Sequence, residues 1–358
     1  MNPKSHHVQQ SNARRGYLDW VRGLAVLVMI QAHVLDSWTR TDVRGTTAFA
    51  WSMIIAGFGA PLFLFLAGVS VGLSAGSKSR RTGDDAVATA AVMKRGGWIF
   101  LLAFLFRVQA WILGWSSPRA LLKVDILNIM GPSIAVAGAL WGAARSVRGH
   151  IAMFSAATAA TVLLTPLIRT AEIGGLPDPI EAYIRPVADL SNFVFFPWSG
   201  FLFAGGLVGV LLEATPAPRE GVVVKWLTLG GLASAAVAFA LSYLPSPYPS
   251  SSFWHTSPCY FFIRAGLMTA AIGAAYAWQG RRAGRPAAWS PLVQLGRTSL
   301  FIYWIHVEMV YGLISRPIHK ALTLPQAFAA FVCFTFFMLA CSLARTRTGQ
   351  WWNKARPA

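Results

Sequence analysis

The sequence predicts an all-α fold: a polytopic membrane bundle of about ten transmembrane helices, with both termini in the cytoplasm. Of the 358 residues, 55% are hydrophobic and only 12% are charged, whereas about a quarter of the residues in soluble domains are charged. Apolar runs of about 20 residues, the length that crosses a bilayer, recur from end to end. Lys and Arg gather in alternate loops between these runs, a pattern that fixes the orientation of membrane proteins.

Ten spans are predicted, in a single transmembrane domain at 17–344 between cytoplasmic tails at 1–16 and 345–358. The first run is interpreted as a retained span, because it carries Arg22 and His33 and lacks the cleavage-like pattern of a signal peptide. The second and third runs are long enough to tilt in the bilayer. The ten runs cover residues 17–36, 48–74, 92–114, 124–144, 150–168, 193–212, 224–244, 259–279, 298–315 and 325–344.

The basic residues are distributed unevenly between the two sides of the predicted bundle. The inner loops and tails contain 20 Lys and Arg residues, and the outer loops contain 8. This excess places both termini in the cytoplasm, in agreement with the even number of spans. The net charge of +18 is therefore attributed to membrane topology, and nucleic acid is not an expected partner. The predicted location is a bacterial inner membrane.

The first predicted span carries ionisable groups at both ends of LDWVRGLAVLVMIQAHVLD (18–36). Arg22 and His33 are almost three helical turns apart, so both project from one face, about 16 Å apart along the axis. Asp19 lies within reach of Arg22 as a helix-face partner. Asp36 is placed to orient the His33 imidazole, as carboxylates orient catalytic histidines. Ionisable residues inside membranes are usually functional.

This arrangement suits a long donor molecule that threads the bundle. An arginine fork binds phosphate well, and histidine is a common general base near neutral pH. Acyl-coenzyme A carries phosphates at one end and a reactive thioester at the other, so Arg22 would bind its cytosolic phosphates and His33 would act at the outer face. The alternative is structural: Arg22 as a snorkelling anchor and His33 as an interfacial hydrogen-bonding residue.

The segment LDWVRGLAVLVMIQAH resembles the first-helix pattern D-x-x-R-G-x-A…H of the acyltransferase-3 family of integral-membrane transferases. More of the chain is similar to the bacterial heparan-alpha-glucosaminide N-acetyltransferase-like membrane proteins. The similar segments cover most of the chain in the expected order: GAPLFLFLAGVSVGLS (59–74), MKRGGWIFLLAF (93–104), DILNIMGPS (125–133), FPWSGFLFAGGLVG (196–209) and LGRTSLFIYWIHVEMVYG (295–312).

The resemblance implies a helical transferase that uses cytosolic acyl-CoA, in the simplest case acetyl-CoA, to modify a sugar-like acceptor outside. It also implies that His33 is the essential histidine. His33 would act either as general base on the acceptor or as carrier of a covalent acyl group, and the sequence leaves both routes open. Acyl-CoA is then a co-substrate, and no tightly bound cofactor or metal is expected. The expected partners are acyl-CoA, an extracytoplasmic glycan and the bilayer, and an oligomer is compatible with the sequence.

Other polar residues inside the spans are candidates for binding the acceptor. Asp125 and Asn128 lie at i and i+3 on one face of the fourth span; the alternative is a carboxylate at the positive end of a helix dipole. His306 and Glu308 lie in the ninth span, two residues apart and so on different faces. The resemblance favours His306, because related transferases carry Tyr-x-x-His there, in this chain Tyr303 and His306. The alternative is a packed histidine bonded to a neighbouring helix.

Two pairs of arginines complete the set. Arg95 and Arg297, at cytosolic helix ends, are candidates for further phosphate contacts, with plain membrane anchors as the alternative. Arg107 and Arg264 lie within spans, and each requires an acidic or carbonyl partner. Glu308 and Asp125 are the candidate partners, and the sequence does not place them.

Two other functions compete with the acyltransferase. In a secondary transporter, or in a translocase for a glycan or lipid carrier, the buried His, Asp and Arg residues would form a relay or a substrate site. The lack of an evident inverted repeat counts against the transporter. A non-catalytic membrane scaffold is the third possibility, and it predicts that His33 is dispensable.

Overall fold

The structure, a computed structural model, describes most of the chain. The described stretches are residues 15–114, 117–171, 174–281 and 289–354. Of the described residues, 81% are helical and none forms a strand, which confirms the predicted all-α class. The predicted N-terminal tail, residues 1–16, lies almost entirely outside the described residues, because these begin at residue 15. In the predicted C-terminal tail, the last helix continues to Lys354.

Thirteen α-helices occur in the described residues. In chain order they are α1 (Gly16–Trp38), α2 (Thr47–Ala56), α3 (Gly59–Thr82), α4 (Asp85–Gly114), α5 (Ile126–Gly142), α6 (Val147–Thr170), α7 (Asp178–Ile184), α8 (Phe195–Glu213), α9 (Glu220–Leu241), α10 (Pro258–Gly280), α11 (Pro291–Arg297), α12 (Ser299–Tyr311) and α13 (Leu324–Lys354). Short 3-10 turns occur at Thr41–Val43, Pro118–Leu122, Ala217–Arg219 and Leu313–Ile318.

Eight helical segments among the described residues are long and apolar enough to cross a membrane, in agreement with a polytopic bundle. The fourth and ninth predicted spans correspond to shorter helices, α5 with 17 residues and α12 with 13. The ninth span is not one helix over 298–315. A helix ends at Arg297 just before it, and α12 stops at Tyr311 because Gly312 adopts an extended backbone (φ −80°, ψ −175°). Hydropathy depends only on which residues a run contains, so it does not show where the backbone leaves the helical conformation.

The described chain forms two compact units. Among the described residues, the α1 unit comprises residues 16–63, 112–114, 279–281 and 289–354, and the α8 unit comprises residues 15, 64–111, 117–171 and 174–278. The single transmembrane domain at 17–344 stays a prediction.

In the α1 unit, α1 packs against α2, α11, α12 and α13. Two glycines bring the backbones of α1 and α11 into contact. A Cβ atom at Gly23 would lie 1.9 Å from the Leu292 carbonyl oxygen, and one at Gly296 would lie 1.9 Å from the Asp19 carbonyl oxygen. Small residues at helix interfaces are typical of membrane proteins, because they allow close backbone approach. The shared core comprises Val26, Ile30, Val34, Trp38, Leu295, Ile302, Val310 and Met338.

In the α8 unit, α8 packs against α5, α6, α7 and α9. Glycines again allow close approach: a Cβ atom at Gly68 on α3 would lie 1.8 Å from the Leu202 carbonyl oxygen of α8. The buried Arg107 on α4 forms an ion pair with Asp125, the N-cap residue of α5. This contact supplies the acidic partner that a cation inside a membrane span requires.

Candidate active site

Two histidines from distant parts of the sequence form the centre of the candidate site. His33 on α1 and His306 on α12 are 273 residues apart, and His33 Nδ1 lies 2.9 Å from His306 Nε2. Their rings stack with centroids 5.1 Å apart and planes 10° apart. His306 is fully buried and His33 is partly exposed. The neighbours Ile30 and Val34 on α1 share a buried cluster with Ile302 on α12, so the apolar core brings the two imidazoles together.

A backbone carbonyl determines the protonation pattern of the neutral pair. His306 Nδ1 lies 2.7 Å from the Ile302 carbonyl oxygen, and because a carbonyl only accepts, this nitrogen carries the proton. His306 Nε2 is then an acceptor, and His33 Nδ1 donates to it. The lone pair of His33 therefore lies on Nε2. This tautomer, assigned from the hydrogen-bond network, gives His33 Nε2 the capacity to take a proton or to attack a carbonyl carbon.

Asp36 does not orient His33, contrary to the expectation from the sequence. Its Oδ2 accepts a 3.0 Å hydrogen bond from the Tyr311 hydroxyl, and its Oδ1 lies 3.5 Å from Arg44 Nη1. The physical reason is that His33 Nδ1–H already has an acceptor in His306, whereas Arg44 offers the carboxylate an opposite charge. Tyr311 also contacts the His33 ring edge-on, with centroids 5.5 Å apart. Tyr311 therefore contacts both Asp36 and His33.

The cytosolic end of α1, by the predicted topology, holds a cluster of charges. The predicted i, i+3 pair is confirmed, with Arg22 Nη1 2.8 Å from Asp19 Oδ1. Arg297 from α11 lies 3.8 Å from Asp19 Oδ2. The carboxylate is buried, whereas the Arg22 and Arg297 side chains are 26% and 54% exposed. Because two guanidinium groups share one carboxylate, these three side chains together carry a net positive charge.

The remaining candidates occupy other positions. Glu308 is half-buried on α12. Arg95 lies on α4, and Asp125 and Asn128 lie at the start of α5, all in the α8 unit. Asn128 Oδ1 accepts a 3.0 Å hydrogen bond from the Asp125 backbone N–H, which is the N-terminal capping arrangement. Asp125 thus lies at the N-terminal end of a helix, as the alternative interpretation predicted. A role for Asp125 or Asn128 in binding the acceptor stays a prediction.

Sequence reasoning missed two members of the site, Tyr311 and Arg44. The available signal was weak: Tyr311 ends the helix that carries His306, and Arg44 follows Asp36 by eight residues in a loop. Tyr311 lies at i, i+3 spacing from the candidate Glu308 on α12, but that spacing does not point to Asp36 or His33, and Arg44 lies on no helix with a candidate. Over the described ranges, no group of three or more His, Cys, Asp or Glu side chains is arranged to hold a metal ion.

Comparison with known proteins places the chain in a family. Residues 14–237 match the catalytic family described as heparan-alpha-glucosaminide N-acetyltransferase, catalytic. The match covers more than half of the chain. It includes Arg22 and His33 and ends before His306.

Two relatives, from Bordetella parapertussis (strain 12822) and Bordetella bronchiseptica (strain RB50), carry the name apolipoprotein N-acyltransferase. Each is 32% identical to this chain over 134 residues, which is 37% of this chain. The chain spans less than a quarter of the length of these curated relatives, 23% and 22% respectively.

The apolar helical fold and these matches point to one class of protein, the membrane acyltransferases. More narrowly, the chain belongs to the heparan-alpha-glucosaminide N-acetyltransferase catalytic family.

Proposed function

We propose that the protein transfers an acyl group, in the simplest case acetyl, from cytosolic acyl-CoA to a sugar-like acceptor. The acceptor would lie on the extracytoplasmic side of a bacterial inner membrane. The observation that carries the proposal is the tautomer of the histidine pair, because it puts the lone pair of His33 on Nε2. Acyl transfer needs such a base or nucleophile beside the thioester.

In the direct route, His33 Nε2 takes a proton from the acceptor amine or hydroxyl while that group attacks the thioester carbonyl. The carbon–sulfur bond breaks, and the coenzyme A thiolate takes the proton from His33. While His33 is charged, its Nδ1–H bond to the neutral His306 Nε2 stabilises the imidazolium. His306 is thus a positioning residue that acts through His33.

In the two-step route, His33 Nε2 attacks the thioester carbon and displaces the coenzyme A thiolate. The acceptor then attacks the acyl group on His33, and the acceptor's proton ends on the thiolate. Both routes use the lone pair on His33 Nε2. The hydrogen bonds of His33 and His306 therefore support either route. A covalent intermediate distinguishes the routes.

The charge cluster at the other end of α1 supports a phosphate-bearing donor. Arg22 and Arg297 share Asp19, which holds the two guanidinium groups in place while their net charge attracts phosphate. Arg22 and His33 are about 16 Å apart along the helix, which suits a donor whose phosphates and reactive carbon are far apart. Arg95 is a further candidate for the phosphates.

For the acceptor we retain Glu308, Asp125 and Asn128 as candidate binding residues. No tightly bound cofactor is required, since acyl-CoA enters and leaves as a substrate.

Label transfer by the purified protein tests the proposal. The protein in detergent is incubated with radiolabelled acetyl-CoA and an envelope glycan extract, and label in the glycan fraction is counted. Loss of a general base costs about 10²- to 10⁴-fold, so His33→Ala should lower transfer at least about 100-fold. His319→Gln is the matched control, because His319 is an exposed histidine of the same unit. Undiminished transfer by folded His33→Ala protein would refute the role of His33.

Acid quenching of the same reaction separates the two routes. Label that stays on wild-type protein and is absent from His33→Ala indicates the covalent route. Glycan labelling with no protein-bound label at any time point indicates direct transfer.

A further inference from the structure

Two adjoining hollows in the α8 unit are not used by the proposed chemistry. The smaller has a volume of about 60 Å³ and is lined by two arginines, Arg169 at the end of α6 and Arg264 on α10. None of the described residues that line it is acidic. Arg169 Nη1 donates to the His255 carbonyl oxygen over 3.4 Å, and Arg264 is only 8% exposed. Two guanidinium groups at one hollow provide the donor geometry that recognises phosphate or carboxylate.

Aromatic rings position the buried Arg264. Its guanidinium carbon lies 4.7 Å from the ring centre of Tyr260, 5.3 Å from that of Phe201 and 5.9 Å from that of Trp198. Arginine stacks on aromatic faces because its guanidinium is planar and weakly hydrated. Stacking fixes the plane of the group and leaves it cationic. Trp254, 51% exposed, also lines this hollow.

The larger hollow is an apolar groove of about 570 Å³ formed by α6, α8, α9 and α10. Phe261 lines both hollows, so the groove adjoins the hollow that contains the arginine pair. Small residues contribute to its walls, among them Ala159, Gly230 and Gly231. Trp226, which also lines it, is 67% exposed, so the groove is accessible from the surface that apolar helices present to lipid.

We infer that the two hollows form one binding site for an anionic phospholipid. The phosphate binds between Arg169 and Arg264, and an acyl chain occupies the groove. The spacing along the helix fits this order, because Arg169 lies ten residues, about 15 Å, beyond the groove residue Ala159 on α6. A phospholipid has the same order, with its charged group at the membrane surface and its chains in the hydrocarbon. The site goes beyond the proposed acyl transfer and does not depend on it.

The combination of the hollows favours a lipid over other ligands. A free phosphate would contact the arginine pair alone and leave the groove unused. A zwitterionic phospholipid would fill the groove and present the same phosphate, but the two guanidinium groups would repel its trimethylammonium group. An anionic lipid uses both surfaces, which Phe261 joins, without that repulsion.

Native mass spectrometry of the full chain in an uncharged detergent tests the inference. Three probes are titrated: dioleoyl phosphatidylglycerol, dioleoyl phosphatidylcholine and glycerol phosphate. We expect phosphatidylglycerol to bind at least about tenfold more tightly than phosphatidylcholine, a difference of about 1.4 kcal/mol. Glycerol phosphate should show no measurable binding. Equal binding of the two lipids, or glycerol phosphate binding as tightly as phosphatidylglycerol, would overturn the inference.

Arginine variants identify the head-group contact. Arg264→Gln and Arg169→Gln should each weaken phosphatidylglycerol binding about tenfold and phosphatidylcholine binding less, because loss of an arginine also removes repulsion of the choline cation. Arg169 lies near a helix end and is partly exposed, so Arg169→Gln remains informative if Arg264→Gln fails to fold. Arg148→Gln is the matched control, because Arg148 is exposed near the other end of α6. Unchanged affinity in the folded pocket variants would contradict the site.

A groove variant identifies the chain contact. Gly230 lines the groove, and a Cβ atom there would have no heavy atom within 4 Å. Gly230→Leu should therefore fold and should weaken both lipids about tenfold by filling the groove. Gly97→Leu is the control, because Gly97 has equally open space and does not line the groove. Wild-type lipid affinity in Gly230→Leu would show that the chain lies elsewhere.

Discussion

The histidine pair makes His306→Phe the most informative perturbation. In the wild-type protein the fully buried His306 accepts from His33 Nδ1–H through Nε2, and its own Nδ1–H donates to the Ile302 carbonyl oxygen. Phenylalanine keeps a planar ring in that space and provides no acceptor. His33 Nδ1–H then loses its partner, or His33 moves its proton to Nε2 and loses the lone pair that acyl transfer needs.

The size of the effect follows from the cost of that lost acceptor. A hydrogen bond to a charged group contributes about 1.5–3 kcal/mol and one between neutral groups about 0.5–1.5 kcal/mol, so the bond gains roughly 1–1.5 kcal/mol when His33 becomes charged. At 1.36 kcal/mol for each factor of ten, kcat should fall about 5- to 13-fold. Because the lost interaction strengthens when His33 becomes charged, the loss should appear in kcat more than in KM for acyl-CoA. His306→Gln provides a side-chain carbonyl as a substitute acceptor, so it should recover part of the activity.

The assay is the radiolabel transfer described above, performed with monodisperse protein of measured melting temperature. Asp36→Asn is the contrasting variant, because Asp36 bonds Tyr311 and Arg44, and it should lower kcat less than His306→Phe does. Wild-type kcat in folded His306→Phe would refute the assigned tautomer. So would a larger loss in Asp36→Asn than in His306→Phe.

Three further predictions concern the donor site and the fold. Arg22→Gln should raise KM for acyl-CoA at least about tenfold with little change in kcat, because a charge-assisted phosphate contact contributes about 1.5–3 kcal/mol; steady-state kinetics measures this. Arg107→Leu should cost about 3–5 kcal/mol of stability by leaving a buried charge without its partner, and adding Asp125→Leu should recover part of the loss in thermal unfolding. Gly23→Leu should cost at least about 1–3 kcal/mol by overpacking, since its Cβ would lie 1.9 Å from a backbone oxygen of α11; melting temperature and folded yield report this.

Matched controls accompany these variants. Arg219→Gln replaces an exposed arginine in the 3-10 turn before α9 and should leave KM unchanged; an equal rise in KM there would indicate a general surface-charge effect. Gly97→Leu should leave the melting temperature unchanged, because open space surrounds its Cβ position. If the loss of stability in the double variant at Arg107 and Asp125 equalled the sum of the losses in the two single variants, the ion pair would not explain the effect.

The sequence by itself determined the features that depend on neighbouring residues. Hydropathy and the distribution of basic residues predicted an all-helical membrane protein, because each apolar run of about 20 residues must satisfy its backbone within itself in lipid. Helical periodicity predicted the Asp19–Arg22 ion pair, which the structure contains at 2.8 Å. The same periodicity put Arg22 and His33 on one face of α1. The family was also predicted from short segments, because the pattern of each segment depends only on neighbouring residues.

Only the tertiary structure decided which distant groups meet. His33 pairs with His306, 273 residues away, because the apolar cores of α1 and α12 pack together, and no local pattern encodes that contact. The sequence assigned Asp36 to His33 by proximity, whereas packing gave Asp36 to Tyr311 and Arg44. The arginine pair of the lipid site likewise joins α6 to α10. Periodicity is a property of a single helix, but the partner of a buried polar group depends on the packing of several.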